Sequence, residues 1–130
     1  MTPDDFRAVA LTLPEAVESA HMGHPDFRVG GKIFATLGHP DAGWGMVKLT
    51  VEQREEFVRE DPEVFRPVPG GWGRTGATNV CLAAATAETL RSAFESAWRN
   101  VAPKRLIRQV DTEVPALRRI DDEADARADQ

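Results

Sequence analysis

Apolar residues recur at helical spacing in three places along this chain, and between the first two the period shortens to that of strands. Phe6, Val9, Ala10 and Leu13 share one helical face. Thr2 is placed to cap, Pro3 suits the first helical position, Asp4 and Asp5 favour the positive end of the dipole, and Pro14 stops the run. The pattern predicts a helix over 3–12. From 16 to 48, glycines and prolines divide the chain into Ala16–Met22, Asp26–Val29, Lys32–Leu37 and Gly45–Leu49. These pieces are too short for helices and suit an antiparallel meander of four strands.

The turn at Gly30-Gly31 leaves two registers to weigh. A two-residue turn puts Phe27, Val29 and Phe34 on one face with Lys32, and Ile33 and Leu37 on the other with Arg28, so neither face is clean. A three-residue loop, Val29-Gly30-Gly31 with Gly31 left-handed, gathers Phe27, Ile33, Ala35 and Leu37 on one face. Arg28, Lys32, Phe34 and Thr36 then share the other. The second register is preferred, and it sets two cations beside each other, an arrangement that costs stability unless an anion or solvent relieves it.

Thr50 and Gln53 form a capping-box pattern that opens a second helix, with Val51, Phe57 and Val58 as its stripe and Asp61-Pro62 as its end. Residues 63–78 hold two prolines and four glycines and read as a structured loop, followed by a short strand, Asn79–Ala83. The last helix is the plainest: Leu90, Ala93, Phe94, Ala97, Trp98 and Val101 make one apolar face, with Thr86 as cap and Pro103 as stop. Past Leu106 the periodicity fades into charge. The expectation is a domain over 1–106 and a charged, mobile tail over 107–130. The order α-β4-α-β-α describes an α+β two-layer domain with helices on one face of an antiparallel sheet.

Composition narrows the classes. At 130 residues, 42% apolar and 28% charged, the chain is one ordinary domain. No run approaches the ~18 apolar residues of a membrane span, and no signal peptide is read at the N-terminus, so a cytoplasmic protein with no membrane partner is expected. A single cysteine, Cys81, leaves no internal disulfide and no Cys-rich zinc site. Sixteen Lys and Arg stand against 21 Asp and Glu, net −5. That balance argues against a general attraction to DNA, although a local basic patch stays open.

Each candidate chemistry has an ordinary counterpart. His21, His24 and His39 suggest metal ligation, but a zinc site needs three or four converging ligands, and a local turn around His24-Pro25 accounts for the pair more simply. Cys81 alternates with Val80 and Leu82 as a core residue would. The run from Gly70 to Gly76 lacks the Lys and Ser/Thr of a phosphate loop; its content is Trp72 and Arg74, a stacking surface and a fork-shaped cation. Glu55, Glu56, Glu60 and Asp61 read as the solvated face of the second helix. No metal, no cofactor and no catalytic set is expected.

The run from Glu18 to Leu37 (ESAHMGHPDFRVGGKIFATL), the Val47-Lys48-Leu49 strand, the Pro69–Gly76 loop and the helix end Ala97–Lys104 together resemble the MmcQ/YjbR family over roughly residues 3–106. The resemblance implies a small bacterial domain with a CyaY-like arrangement and a DNA-binding role through two projecting hairpins, a double wing, in a largely uncharacterised family. Carried onto this chain, one wing is the Arg28–Lys32 hairpin with Phe34, and the other is the Gly38–Gly45 loop with His39 and Trp44. The second wing departs from a comfortable DNA binder, since it carries Asp41 and no Lys or Arg.

Two functions of different classes follow. In the first, a non-enzymatic domain binds double-stranded DNA weakly and salt-sensitively. Arg28, Lys32, Lys48, Arg66 and Arg74 meet phosphates, and Phe34, Trp44 or Trp72, with His39 beside them, stack or wedge. In the second, the sheet binds a protein or a small anion. Clustered cations favour the first; an aromatic-lined pocket around Trp44 and Trp72 favours the second.

Overall fold

Three helices start where the sequence marks their caps. The hydroxyls of Thr2, Thr50 and Thr86 accept from the backbone N–H groups of Asp5, Gln53 and Thr89, and in each case the third residue's side chain returns a bond to the cap. These caps open α1 (Pro3–Ala10), α2 (Val51–Glu60) and α3 (Ala87–Val101), and a fourth helix, α4 (Lys104–Glu113), follows. The strands are β1 (Val17–His21), β2 (His24–Val29), β3 (Lys32–Leu37), β4 (Trp44–Lys48), β5 (Phe65–Pro67) and β6 (Ala77–Cys81). The computed structural model describes residues 1–38, 41–71 and 73–113. No helix among them is long and apolar enough to cross a membrane.

The strands form one antiparallel sheet in the order β1-β2-β3-β4-β6-β5. Paired residues share a face, so the register sorts the side chains into two sets. Phe27, Ala35, Val47, Val80 and Phe65 face the helices. There Phe6 of α1 meets Phe27 at 5.9 Å and Phe94 of α3 at 4.8 Å between ring centroids. Phe57 of α2 meets Phe65 at 5.1 Å. Gly45 lets α1 come this close, because a Cβ there would stand 2.5 Å from the Phe6 ring. Trp98 is fully buried, and its indole N–H donates to the Pro14 carbonyl at 3.0 Å, fixing α3 to the link between α1 and β1. This is a two-layer α+β domain with its core between sheet and helices.

The fold departs from the sequence reading in three places. The β2–β3 hairpin closes with a two-residue turn, Val29 opposite Lys32, and both glycines have positive φ. The register then shifts, with Arg28 opposite Ile33 but Phe27 opposite Ala35. Phe34 is the extra residue of that bulge. The shift turns it to the helix side, where it is fully buried and 6.1 Å from Phe94. Secondly, the loop over 63–78 contains the short strand β5, paired with β6. Thirdly, helical packing continues past 106: Leu106 and Val110 of α4 lie in the core, and Arg99 of α3 bonds Asp111 at 2.5 Å. Of the expected tail over 107–130, residues 114–130 lie outside the described residues.

Candidate functional site

The sheet has a second face, and no helix covers it among the described residues. Its outward strand positions include His21 on β1, His24, Asp26 and Arg28 on β2, and Thr36 on β3. They continue with Trp44, Met46 and Lys48 on β4, Asn79 and Cys81 on β6, and Arg66 on β5. Three cations stand against one carboxylate on strands spanning roughly 19 Å, four strand spacings. The acidic residues of α2 lie on the other side of the sheet.

The carboxylate is Asp26, which is fully buried and fully engaged. Arg28 donates to it twice, through Nε at 2.7 Å and Nη2 at 2.9 Å, and His21 approaches through Nδ1 at 2.8 Å. Hydrogen bonding from Arg28 holds the Asp26 carboxyl below the usual carboxylate range, with His21 helping and burial opposing. The same contact raises Arg28 further. With Asp26 ionised and accepting, His21 donates its Nδ1–H to the carboxylate. This resembles half of a His–Asp catalytic pair, but the guanidinium shares the carboxylate and makes the trio an anchor for β1 on β2. Sequence reasoning missed it. The available signal was Asp26-x-Arg28, which strand periodicity places on one face beside the His21–His24 turn.

At the other end of the face, the Arg66 guanidinium lies over the half-buried Trp44 ring, 5.2 Å from its centroid. Lys48 is exposed two positions beyond Met46 on the same side, and Arg74 is exposed on the 3-10 turn Gly73–Thr75 that leads into β6. Arg54 of α2 donates to the Gly73 carbonyl and pins that turn. Past Lys48 opens a cleft of about 610 Å³ between the start of α2 and the end of α3, with Asn100 on its wall. The Asn100 amide donates to the Lys48 carbonyl at 3.0 Å and to Gln53 at 2.7 Å.

The structure thus brings together Trp44, Lys48 and Arg66 of the expected contact residues, with Arg28 across the sheet. It separates others. Lys32 is exposed but pairs with Val29, on the face opposite Arg28, so the expected like-charge pair does not form. Arg28 is committed to Asp26. Phe34 is buried in the core and unable to stack on a ligand. The first hairpin is not a free wing, because its tip rests on the corner between α3 and α4: a Cβ on Gly30 would lie 2.8 Å from Pro103. His39 and Trp72 lie outside the described residues. Among the described residues no group of three His, Cys, Asp or Glu is arranged to hold a metal ion.

A two-layer α+β domain with a cationic, helix-free sheet face is the class these features define. The family model YjbR matches residues 11–100, well over half of the sequence, and the chain belongs to the YjbR family. No curated relative matches it. Among solved structures it is similar to the crystal structure of Deinococcus radiodurans protein DR2400, a DUF419 domain. The TM-score is 0.62 and the identity 23%, over 79% of this chain and 80% of that one. At that identity the likeness is one of fold.

Proposed function

We propose that this YjbR-family domain is a non-enzymatic nucleic-acid-binding module that takes a single strand along the β4–β5 side of the helix-free face of its sheet. One observation carries the reading: the strand register gathers Trp44, Lys48 and Arg66 on that face, where the one carboxylate among the described strand residues, Asp26, is already paired with Arg28. A base stacks on the Arg66–Trp44 pair while Lys48 and Arg74 follow the phosphates. Asp26, Thr36, Met46 and Asn79 in the middle of that face are buried, so the accessible part is the side around Trp44, Lys48 and Arg66, where stacking on an aromatic ring suits unpaired bases better than duplex. The packed tip of the first hairpin also weighs against insertion of a wing into DNA.

The test is fluorescence anisotropy with labelled single-stranded and duplex DNA of one sequence, at several salt concentrations. Single strands are expected to bind more tightly. The variant Lys48→Ala with Arg66→Ala should lose at least ~10-fold in affinity, and its log–log salt slope should fall by about 0.7, for the one phosphate contact, Lys48, that it removes. Absence of wild-type binding at low salt would remove nucleic acid as the partner. The cleft beside Lys48 favours the second reading, a small anion, and in that case would be where to look for it.

A further inference from the structure

Among the described residues, the edge strand β1 leaves part of its backbone unpaired. His21 and His24 flank a two-residue turn, Met22-Gly23, with positive φ at both positions, and therefore form a hydrogen-bonded pair. Alternation then makes Ser19–Asp26 and Val17–Arg28 hydrogen-bonded pairs, while Ala20–Pro25 and Glu18–Phe27 are not. Pro25, which has no N–H, fits that assignment. The backbone N–H and C=O groups of Glu18 and Ala20 consequently point away from the sheet. The opposite edge is different: β5 has three residues, and its last is Pro67.

The described residues include three exposed large hydrophobics, and all lie around β1. Val17 and Met22, 56% and 92% exposed, stand at its two ends. Leu11 ends α1, which Arg7 ties to Glu18 through a 2.7 Å bond. An edge with free backbone and apolar ends is built for pairing.

We infer that β1 pairs antiparallel with β1 of a second copy of this chain, about a two-fold axis through Ser19. The choice of occupant follows from self-complementarity. Registers that join the outward groups of Glu18 and Ala20 can be centred on Glu18, Ser19 or Ala20. Centring on Glu18 sets two carboxylates directly opposite, and centring on Ala20 leaves Val17 beyond the paired strands. The axis through Ser19 overlaps all five residues. It bonds Glu18 to Ala20 of the second copy twice over, and it brings Met22 of the second copy beside Ala16 and Val17. Each Glu18 is already bonded within its own copy to Arg7, which Asp4 shares. The two sheets then run on as one, and the helix-free faces adjoin.

The wild-type chain is examined by sedimentation velocity from micromolar to millimolar concentration, without nucleic acid, so the outcome is independent of the proposed function. Its average mass should climb from 14.3 kDa towards twice that value. Ala20→Pro removes an outward N–H and leaves the ladder to β2 intact, so it should stay monomeric with a nearly unchanged melt. A second measurement reports the register directly, in a Cys81→Ser background. Ser19→Cys should form an intermolecular disulfide under mild oxidant at least ~10-fold faster than Val17→Cys, because only residue 19 meets its own copy. A monomeric wild type at millimolar concentration overturns the inference. So does undiminished dimerisation of Ala20→Pro, or equal crosslinking at 17 and 19.

Discussion

Asp26 is a buried charge on the helix-free side of the sheet, beside the equally buried Thr36 and Met46. Its carboxylate accepts from Arg28 and His21 and has no exposure of its own. Asp26→Asn keeps the size but removes the charge that both partners address. Losing a charged hydrogen-bond pair costs about 2 kcal/mol here, less than the ~3–5 of a fully buried ion pair, since Arg28 is 31% exposed and can hydrate. For a domain of this size that is roughly 7 °C in melting temperature. Acid removes the same stabilisation. The folded carboxyl titrates below its unfolded value, so its contribution is complete above about pH 4 and drains away as the pH falls below that. Thermal melts from pH 7 down to pH 2 should show wild type and Asp26→Asn converging in acid. A gap that stays constant would mean that Asp26 is not ionised in the folded state.

At the scale of elements, the packed chain ends later than the charge pattern suggests, and α4 is where this matters. Leu106 and Val110 are four apart and both buried, while Arg99 and Asp111 join α3 to α4. A chain ending at Gln109 loses the burial of Val110 and that ion pair, together about 2 kcal/mol. It should melt ~5–10 °C below a chain ending at Glu113, measured by circular dichroism. Equal melts would show that the last turn of α4 adds nothing. The sequence was opaque here because two apolar positions among many charges carry little periodic signal. The same limit hid β5, three residues in a stretch rich in Pro and Gly. By contrast, all three Thr caps and the buried positions of α3 were legible, since capping and 3.6-residue spacing are local properties. The β2–β3 hairpin falls between these cases. Turn chemistry marked Gly30-Gly31 correctly, but the bulge that turns Phe34 inward depends on how the sheet meets α3, and no local signal encodes that.

For the whole molecule, the question is whether net charge or local charge governs an encounter with an anionic partner. The chain carries −5, yet the helix-free face holds two cations, Lys48 and Arg66, beyond the mutually neutralised Arg28 and Asp26. The sequence identified Trp44, Lys48, Arg66 and Arg74 as candidates; only the strand register could show which of the strand-borne cations share a face and which one is spent on Asp26. The exposed carboxylates of Glu55, Glu56 and Glu60 belong to α2, which packs on the far side of the sheet through Phe57 and Phe65. A helix packed on a sheet sets its outer charges more than ~10 Å from the opposite face, beyond the ~8 Å Debye length at 0.15 M salt. Replacing the three with glutamine removes three negative charges but should change single-strand affinity less than ~2-fold at that salt. The same variant should bind several-fold more tightly near 0.01 M, where the Debye length reaches ~30 Å. Lys48→Ala with Arg66→Ala should lose affinity at both salts. Anisotropy titrations of the two variants side by side decide the matter: a glutamine variant that shifts binding at 0.15 M as much as the face variant does would show that overall charge, and not the sheet face, sets the affinity.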